Sequence, residues 1–404
     1  MQRSLLLHGE APEPTTRSKL ALSAKGFRPF FLLAAVFACV IVPQWILVVA
    51  GVAHPTGYLD APSWHAHEMV FGYAVAVIAG FLLTAVGNWT QRETVVGTPL
   101  LVLSALWAAG RAAMVLAGAL PRGLPALVDL AFLPALIVVL ARPIIAARNR
   151  RNIAMLGILG ALFAANVVIH LDALGVMALG TARHARLVAI DVVLLVMLII
   201  AGRVFPMFTR SATGATSVRS SPPLDVLTIA AMAALTLLDA LVPERAATAA
   251  AAGAAGVLAL ARAARWGTRH TARDPLLWIL HAGYGWLVVG LLLRALARLV
   301  PVIPGSLATH ALTVGAIGSL TLGMMARVSL GHTGRRLIAS RSTVGSFAAI
   351  TTAAFARVAV PMFAPSWYLA SLVAAAGLWT LAFVLFLLAY VPVLLAPRVD
   401  RKPG

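Results

Sequence analysis

The chain has one cysteine, Cys39, among its 404 residues. A disulfide within the chain is excluded, and so is attachment of a prosthetic group through a C-x-x-C-H motif. Charge is also scarce, at 11% of residues, where a soluble domain carries roughly a quarter. Only three residues are lysine, and no two histidines are adjacent. No low-complexity tail or soluble domain interrupts the pattern. Residues 1–25 are polar and contain proline, so no cleavable signal peptide is expected.

What the sequence has instead is apolar length. Hydrophobic residues make up 61% of the chain and fall in long unbroken runs. A span needs about 20 apolar residues, and twelve runs qualify: 27–51, 66–88, 99–118, 124–147, 152–172, 185–208, 224–242, 246–264, 275–298, 307–330, 344–364 and 367–396. The expected fold is all-α: a polytopic membrane protein with one bundle of about twelve transmembrane helices over 26–396, a segment 1–25 before it and a tail 397–404 after it. The Ala/Gly-rich run 246–264 is the least apolar and is expected to pack against neighbours rather than lipid.

The net charge of +19 raises nucleic acid as a partner, but no basic helix or aromatic-interleaved patch is present. The basic residues lie between apolar runs, as loop charges do. Alternating the spans puts 24 Lys and Arg on the side of the termini and 7 on the other, with Arg111 inside a span. That asymmetry predicts cytoplasmic termini.

This topology sorts the ten histidines. His65, His67, His170 and His310, from three distant parts of the chain, fall near the outer surface. His54 and His184 fall in outer loops, His281 and His332 toward the inner side, and His8 and His270 in inner polar segments. An imidazole facing lipid is costly, so the outer four are expected to face the bundle interior. Neutral imidazole is a common metal ligand and haem axial ligand, which makes a metal or haem site near the outer leaflet the functional reading. The plainer reading is a set of helix-end residues bonded to carbonyls and water. His65 and His67 differ by about 200° on a helix and cannot share one partner there. Either one is the ligand or the segment is extended. His67 is the deeper, with Glu68 placed to orient its ring N–H or to meet the helix dipole.

Three further stretches carry polar residues among apolar ones. In "AGRVFPMFTR", Arg203 needs a carboxylate, a carbonyl or an anionic ligand such as a haem propionate, or else snorkels to the interface. Pro206 is expected to break the helix after it. "RVSLGHTGRRL" holds Arg327 and His332 with glycines that turn the backbone. An inner polar site of Arg203, Arg327, His332 and His281 is one reading and a solvated helix end is the other. In "GFRPFF", Arg28 is expected to anchor at the interface. Asp191 is expected to neutralise Arg186 or to bond a histidine.

The stretches "GFRPFFLLAAVFA", "WHAHEMVFGYAVAVIAGFLLTAVGNWT", "AGRVFPMFTR" and "HALTVGAIGSLTLGMMARVSLGHTGR" resemble the NnrS family of bacterial membrane proteins in order and spacing. The resemblance implies a twelve-span protein of the bacterial inner (cytoplasmic) membrane that contains haem and copper. It also implies a link to nitric oxide, nitrosative stress and denitrification, and favours Arg203, Arg327 and His332 as functional. With no C-x-x-C-H, such haem would be non-covalent haem b. A weaker likeness to haem-copper oxidases puts a histidine at the outer end of the second span and another on the tenth, where His67 and His310 fall. The adjacent histidines that hold copper in that superfamily are missing, so a copper site here must be assembled differently.

The expected cofactor-binding residues are therefore His65, His67, His170, His310, Arg203, Arg327 and His332, with His65, His67, His310 and His281 as metal ligands and Glu68 behind them. The expected function is a haem/copper membrane protein that handles nitric oxide by binding, by reduction or by protecting iron centres, with lipid around it and an electron donor as a partner. The alternative is a cofactor-free transporter of a small anion, which Arg203 and the glycine-rich helices suit, or a passive scaffold.

Overall fold

The computed structural model describes residues 21–53, 57–178, 180–242, 246–400 and 402. His8, His54, Arg3, Arg17, Lys19, Arg245 and Arg401, used in the topology reading, lie outside the described residues. Among the described residues the chain is helical, without strands. Twelve helices are long and apolar enough to cross a membrane: α1 (Phe27–Val49), α2 (Ala61–Thr90), α3 (Thr98–Val115), α4 (Leu124–Ala146), α5 (Arg150–Ala173), α6 (Thr181–Thr213), α7 (Pro222–Leu241), α8 (Ala246–Ala263), α9 (Pro275–Leu299), α10 (Gly305–His332), α11 (Arg341–Phe363) and α12 (Pro365–Leu395). Helices satisfy their own backbone groups, which hydrocarbon demands. An even count returns the chain to the side where it began. The Ala21 N–H accordingly donates to the Leu395 carbonyl at 2.8 Å. This side is called the terminal face below, and its opposite the far face.

Two helices depart from the expected boundaries. α2 begins a turn and a half early, because Asp60 caps it by accepting from Ser63 N at 2.9 Å with a proline in the first turn. The segment holding His65 and His67 is thus helical, not extended. α6 runs through Pro206 to Thr213. The break expected after that proline does not occur, since packed neighbours tolerate the lost backbone bond.

α2 and α10 form the centre. Of their most apolar windows 89% and 83% is buried, against 22% for α1 and α7. Tyr73 on α2 meets Thr321 on α10 at 2.6 Å. Each of these helices contains a π-helical stretch, Glu68–Ala74 in α2 and Ala311–Gly318 in α10, and each stretch directly follows a histidine. The wider turn resets the direction of side chains across it, and π segments frequently mark functional positions.

Small residues let the central helices approach. A Cβ on Gly290 would stand 2.6 Å from Leu312 Cδ2 and 3.0 Å from Leu312 N, and one on Gly283 would stand 3.0 Å from Leu320 N, so α9 lies backbone-close to α10. α8 packs Gly256 against Leu291 and Leu292 of α9 but leaves Val257 and Leu260 exposed. Only one face of this Ala-rich helix is covered. Arg28 is not an interfacial anchor. It is fully buried, and its Nη1 donates to the carbonyls of Leu394 at 2.8 Å and Ala396 at 2.7 Å, tying α1 to the end of α12 because that helix end offers unpaired carbonyls. The Gly290→Val variant is expected to force α9 from α10 and to cost about 1–3 kcal/mol, read as a lowered melting temperature of the detergent-solubilised protein.

Candidate functional site

The far-face ends of α2, α3, α4 and α5 enclose a polar cluster. His67 and Glu68 come from α2, Arg111 from α3, Asp129 from α4, and Asn166 and His170 from α5. All six are buried. One ligand atom from each of His67, Asp129 and His170 lies within 4.8 Å of the other two, a group able to hold a metal ion. His67 Nε2 is 3.4 Å and His170 Nε2 2.9 Å from Asp129 Oδ2. Asn166 Nδ2 donates to that same oxygen at 2.8 Å, and Asn166 Oδ1 lies 3.0 Å from His67 Nε2.

The atoms on the outside of this group are held as well. His67 Nδ1 donates to Glu68 Oε1 at 2.9 Å. Nε2 in turn faces Asn166 Oδ1 and Asp129 Oδ2, which accept as Glu68 does, so a lone pair is presented inward only in the tautomer whose proton is on Nδ1. His170 Nδ1 lies 2.8 Å from the Tyr58 hydroxyl. Burial pushes the Tyr58 pKa up to about 12, so the phenol keeps its proton and can donate or accept, whichever tautomer His170 adopts. Arg111 spans the two carboxylates, Nη1 to Glu68 Oε1 at 2.7 Å and Nη2 to Asp129 Oδ1.

The formal charges do not balance. Glu68 and Asp129 bring two negative charges and Arg111 one positive charge. With neutral imidazoles the buried cluster carries −1. Glu68 Oε2 is also buried without a hydrogen-bond partner among the described residues. Burying an uncompensated charge is costly; a second proton on His67, whose two ring nitrogens both face acceptor oxygens, or a metal cation offsets it. A free space of about 10 Å³, lined by Arg111, Asp129 and Asn166 but by neither histidine, lies beside it and is far too small for a macrocycle.

His65 and His310 do not join this cluster. Two positions from His67 on a helix, His65 points the other way and stacks on Trp45, with ring centroids 4.5 Å apart and planes 16° apart. It lines a cavity of about 390 Å³ between α1, α2, α10, α11 and α12, together with His310, Arg357, Tyr368 and Trp379. His310 Nδ1 donates to the Ser306 carbonyl at 2.7 Å, which leaves its Nε2 with a lone pair. His65 Nδ1 and the Nε and Nη1 atoms of Arg357 are buried without hydrogen-bond partners among the described residues.

The expected outer group of four histidines is thus two pairs in two places, because helical spacing separates His65 from His67. The expected inner site is dispersed. His281 lies six residues into α9 from the terminal face, about 9 Å along the axis, too far from His65, His67 and His310 to share a metal with them. Its ring nitrogens meet Thr209 at 3.0 Å and Thr268 at 2.9 Å. Arg203 donates to Asn152 Oδ1 at 2.8 Å and lies over Trp89. Arg327 lies 4.0 Å over the Phe208 ring, and His332 sits beside Phe27. These four share no hydrogen-bond partner among the described residues. Asp191 pairs with Arg294 at 2.6 Å, not with Arg186 or a histidine.

The sequence reading missed Asp129, Asn166, Arg111 and Tyr58 as site residues. A carboxylate and an amide inside the apolar runs of α4 and α5 are themselves signals, since such groups face the bundle interior and find partners.

Fold and site define a multi-pass membrane protein whose far-face half holds a closed imidazole–carboxylate cluster beside a larger histidine-lined cavity. The model of the family described as NnrS protein matches residues 21–398, nearly the whole chain, and the protein belongs to that family. None of the curated proteins matches it. Replacing Arg111 by Met is expected to leave two buried carboxylates facing one another and to destabilise the protein by about 3–5 kcal/mol. The Arg111→Met/Asp129→Asn double variant should recover part of that loss in the same thermal-denaturation assay.

Proposed function

We propose that this protein binds copper at His67, Asp129 and His170 and haem b in the His65/His310 cavity. We further propose that it uses them to handle nitric oxide in the bacterial inner membrane, with cytoplasmic termini, as a protection against nitrosative stress. The observation that carries the reading is a buried cluster of two carboxylates against one guanidinium whose three facing donor atoms lie within 4.8 Å. A metal cation offsets the excess negative charge. Imidazole and carboxylate donors suit copper among other divalent metals, and copper binds most tightly in that series. Glu68 and Tyr58 orient the two rings from behind, as the outer partners of metal-bound histidines do.

The cavity fits the second cofactor for different reasons. Its volume falls within the range of cofactor sites, about 300–1,000 Å³. His310 presents a fixed lone pair to it, Arg357 offers unpaired donors for a propionate, and Trp45 and Trp379 give aromatic walls. When bound, the two groups supply ligation of nitric oxide and one-electron chemistry. Nitric oxide is small and apolar, so it reaches a buried site from the lipid. A crevice of about 60 Å³ between Phe31, Val77, Ile200 and Leu320, with Thr321 as its polar residue, gives apolar space at mid-bundle apart from both sites.

Metal analysis and absorption spectra of the purified protein test the reading. The His67→Ala and His170→Ala variants are expected to lose copper and keep the haem band. His310→Ala should lose the haem and keep copper. Glu68→Gln is expected to weaken copper about 10–100-fold. Copper retained in both His67→Ala and His170→Ala, or a full haem band in His310→Ala, contradicts the assignment.

A further inference from the structure

Asp191 on α6, Asp239 on α7 and Arg294 on α9 form a second buried charged group toward the far face. Arg294 Nη1 donates to Asp191 Oδ1 at 2.6 Å and Nη2 to Asp239 Oδ2. Both aspartates are buried. With both ionised, two carboxylates on one guanidinium carry −1. Asp191 Oδ2 has no hydrogen-bond partner among the described residues. Its neighbour is the other acid: Asp239 is close enough to Asp191 for the two side chains to share a hydrogen bond. Carboxylates only accept, so that bond forms only when one of the two holds a proton. A single shared proton removes both the repulsion between the carboxylates and the excess charge.

The other charged side chains around this group are themselves engaged. Arg186 is held by Ser63, with Asp60 and Asp172 acting on its charge. Arg183 and Arg298 each have a partner of their own. His310 on α10 lines the neighbouring cavity and bonds to the Ser306 carbonyl. A metal ion needs further donors, and the group able to hold one among the described residues includes neither Asp191 nor Asp239. Arg294 connects the group to solvent. It lines a cavity of about 490 Å³ at the far-face ends of α2, α6, α9 and α10. Arg183, Arg298 and Ser306 in that lining are exposed, so the cavity opens on the far face.

We propose that Asp191 and Asp239 together bind one exchangeable proton, which reaches them from the far face through this cavity. Acidic side chains inside spans commonly serve as proton sites. Ile190, next to Asp191, lines both this cavity and the His65/His310 cavity, so the stored proton is held beside the wall that divides them. The inference stands on this group alone and does not rest on the cofactor reading.

Infrared spectra of the full-length protein in dodecyl maltoside micelles, which carry no carbonyl group, test it at neutral pH. The carbonyl stretch of a protonated carboxyl group is expected in the wild-type protein, moving to lower frequency in heavy water. Asp191→Asn and Asp239→Asn each leave one carboxylate on one guanidinium, a balanced pair that needs no proton. Both variants are therefore expected to lose the same band while keeping the wild-type helix content. The wild-type spectrum is a test that needs no variant: absence of the band overturns the proposal. A band kept in both variants overturns it as well, and loss in one variant alone overturns the sharing. A band that does not move after hours in heavy water overturns the access through the cavity.

Discussion

Arg111 holds two carboxylates at once, Glu68 through one terminal nitrogen and Asp129 through the other, where water does not reach. Electrostatic interactions in such surroundings are strong and unpaired charge is expensive. The far-face ends of α2, α3 and α4 are therefore fixed relative to one another by one guanidinium, and Asn166 and His170 add α5 through Asp129. The Arg294–Asp191–Asp239 group carries the same charges, and what distinguishes the Arg111 cluster is the two imidazoles that face Asp129.

The same geometry separates two cavities from one short motif. His65 and His67 leave α2 on opposite sides, one toward Trp45 and His310 and the other toward His170. The π-helical stretches that follow His67 and His310 occur in the two most buried helices. A helix constrained along its whole length by neighbours has few ways to change the heading of its side chains, and one wide turn is such a way. The size of each space then sorts the chemistry. The closed cluster leaves space for no more than an ion, and the cavity of about 390 Å³ suits a larger flat group.

Apolar runs and loop charges were enough to read twelve spans from the sequence, since hydrocarbon imposes length and internal hydrogen bonding on each helix separately. The family was legible from the long motifs around His67 and His310. Depth placed His65, His67, His170 and His310 at one face, but depth says nothing about which way a side chain turns around the helix axis. The grouping of those four was therefore only half right: the pairs are at one level and face different neighbours. Asp129 and Asn166 were readable in principle as polar residues inside apolar runs. Arg28 was not. It has a boundary position, but its burial depends on the carbonyls of a helix that ends 366 residues later in the chain, which no local pattern reveals.

X-ray absorption at the copper edge of the purified protein, compared with a metal-free scan, tests the central claim most directly, because it reads the ligand atoms themselves. The account predicts nitrogen and oxygen neighbours only, with the outer-shell scattering of two imidazoles. A sulfur neighbour from Cys39 or a methionine, or the absence of imidazole scattering, contradicts it.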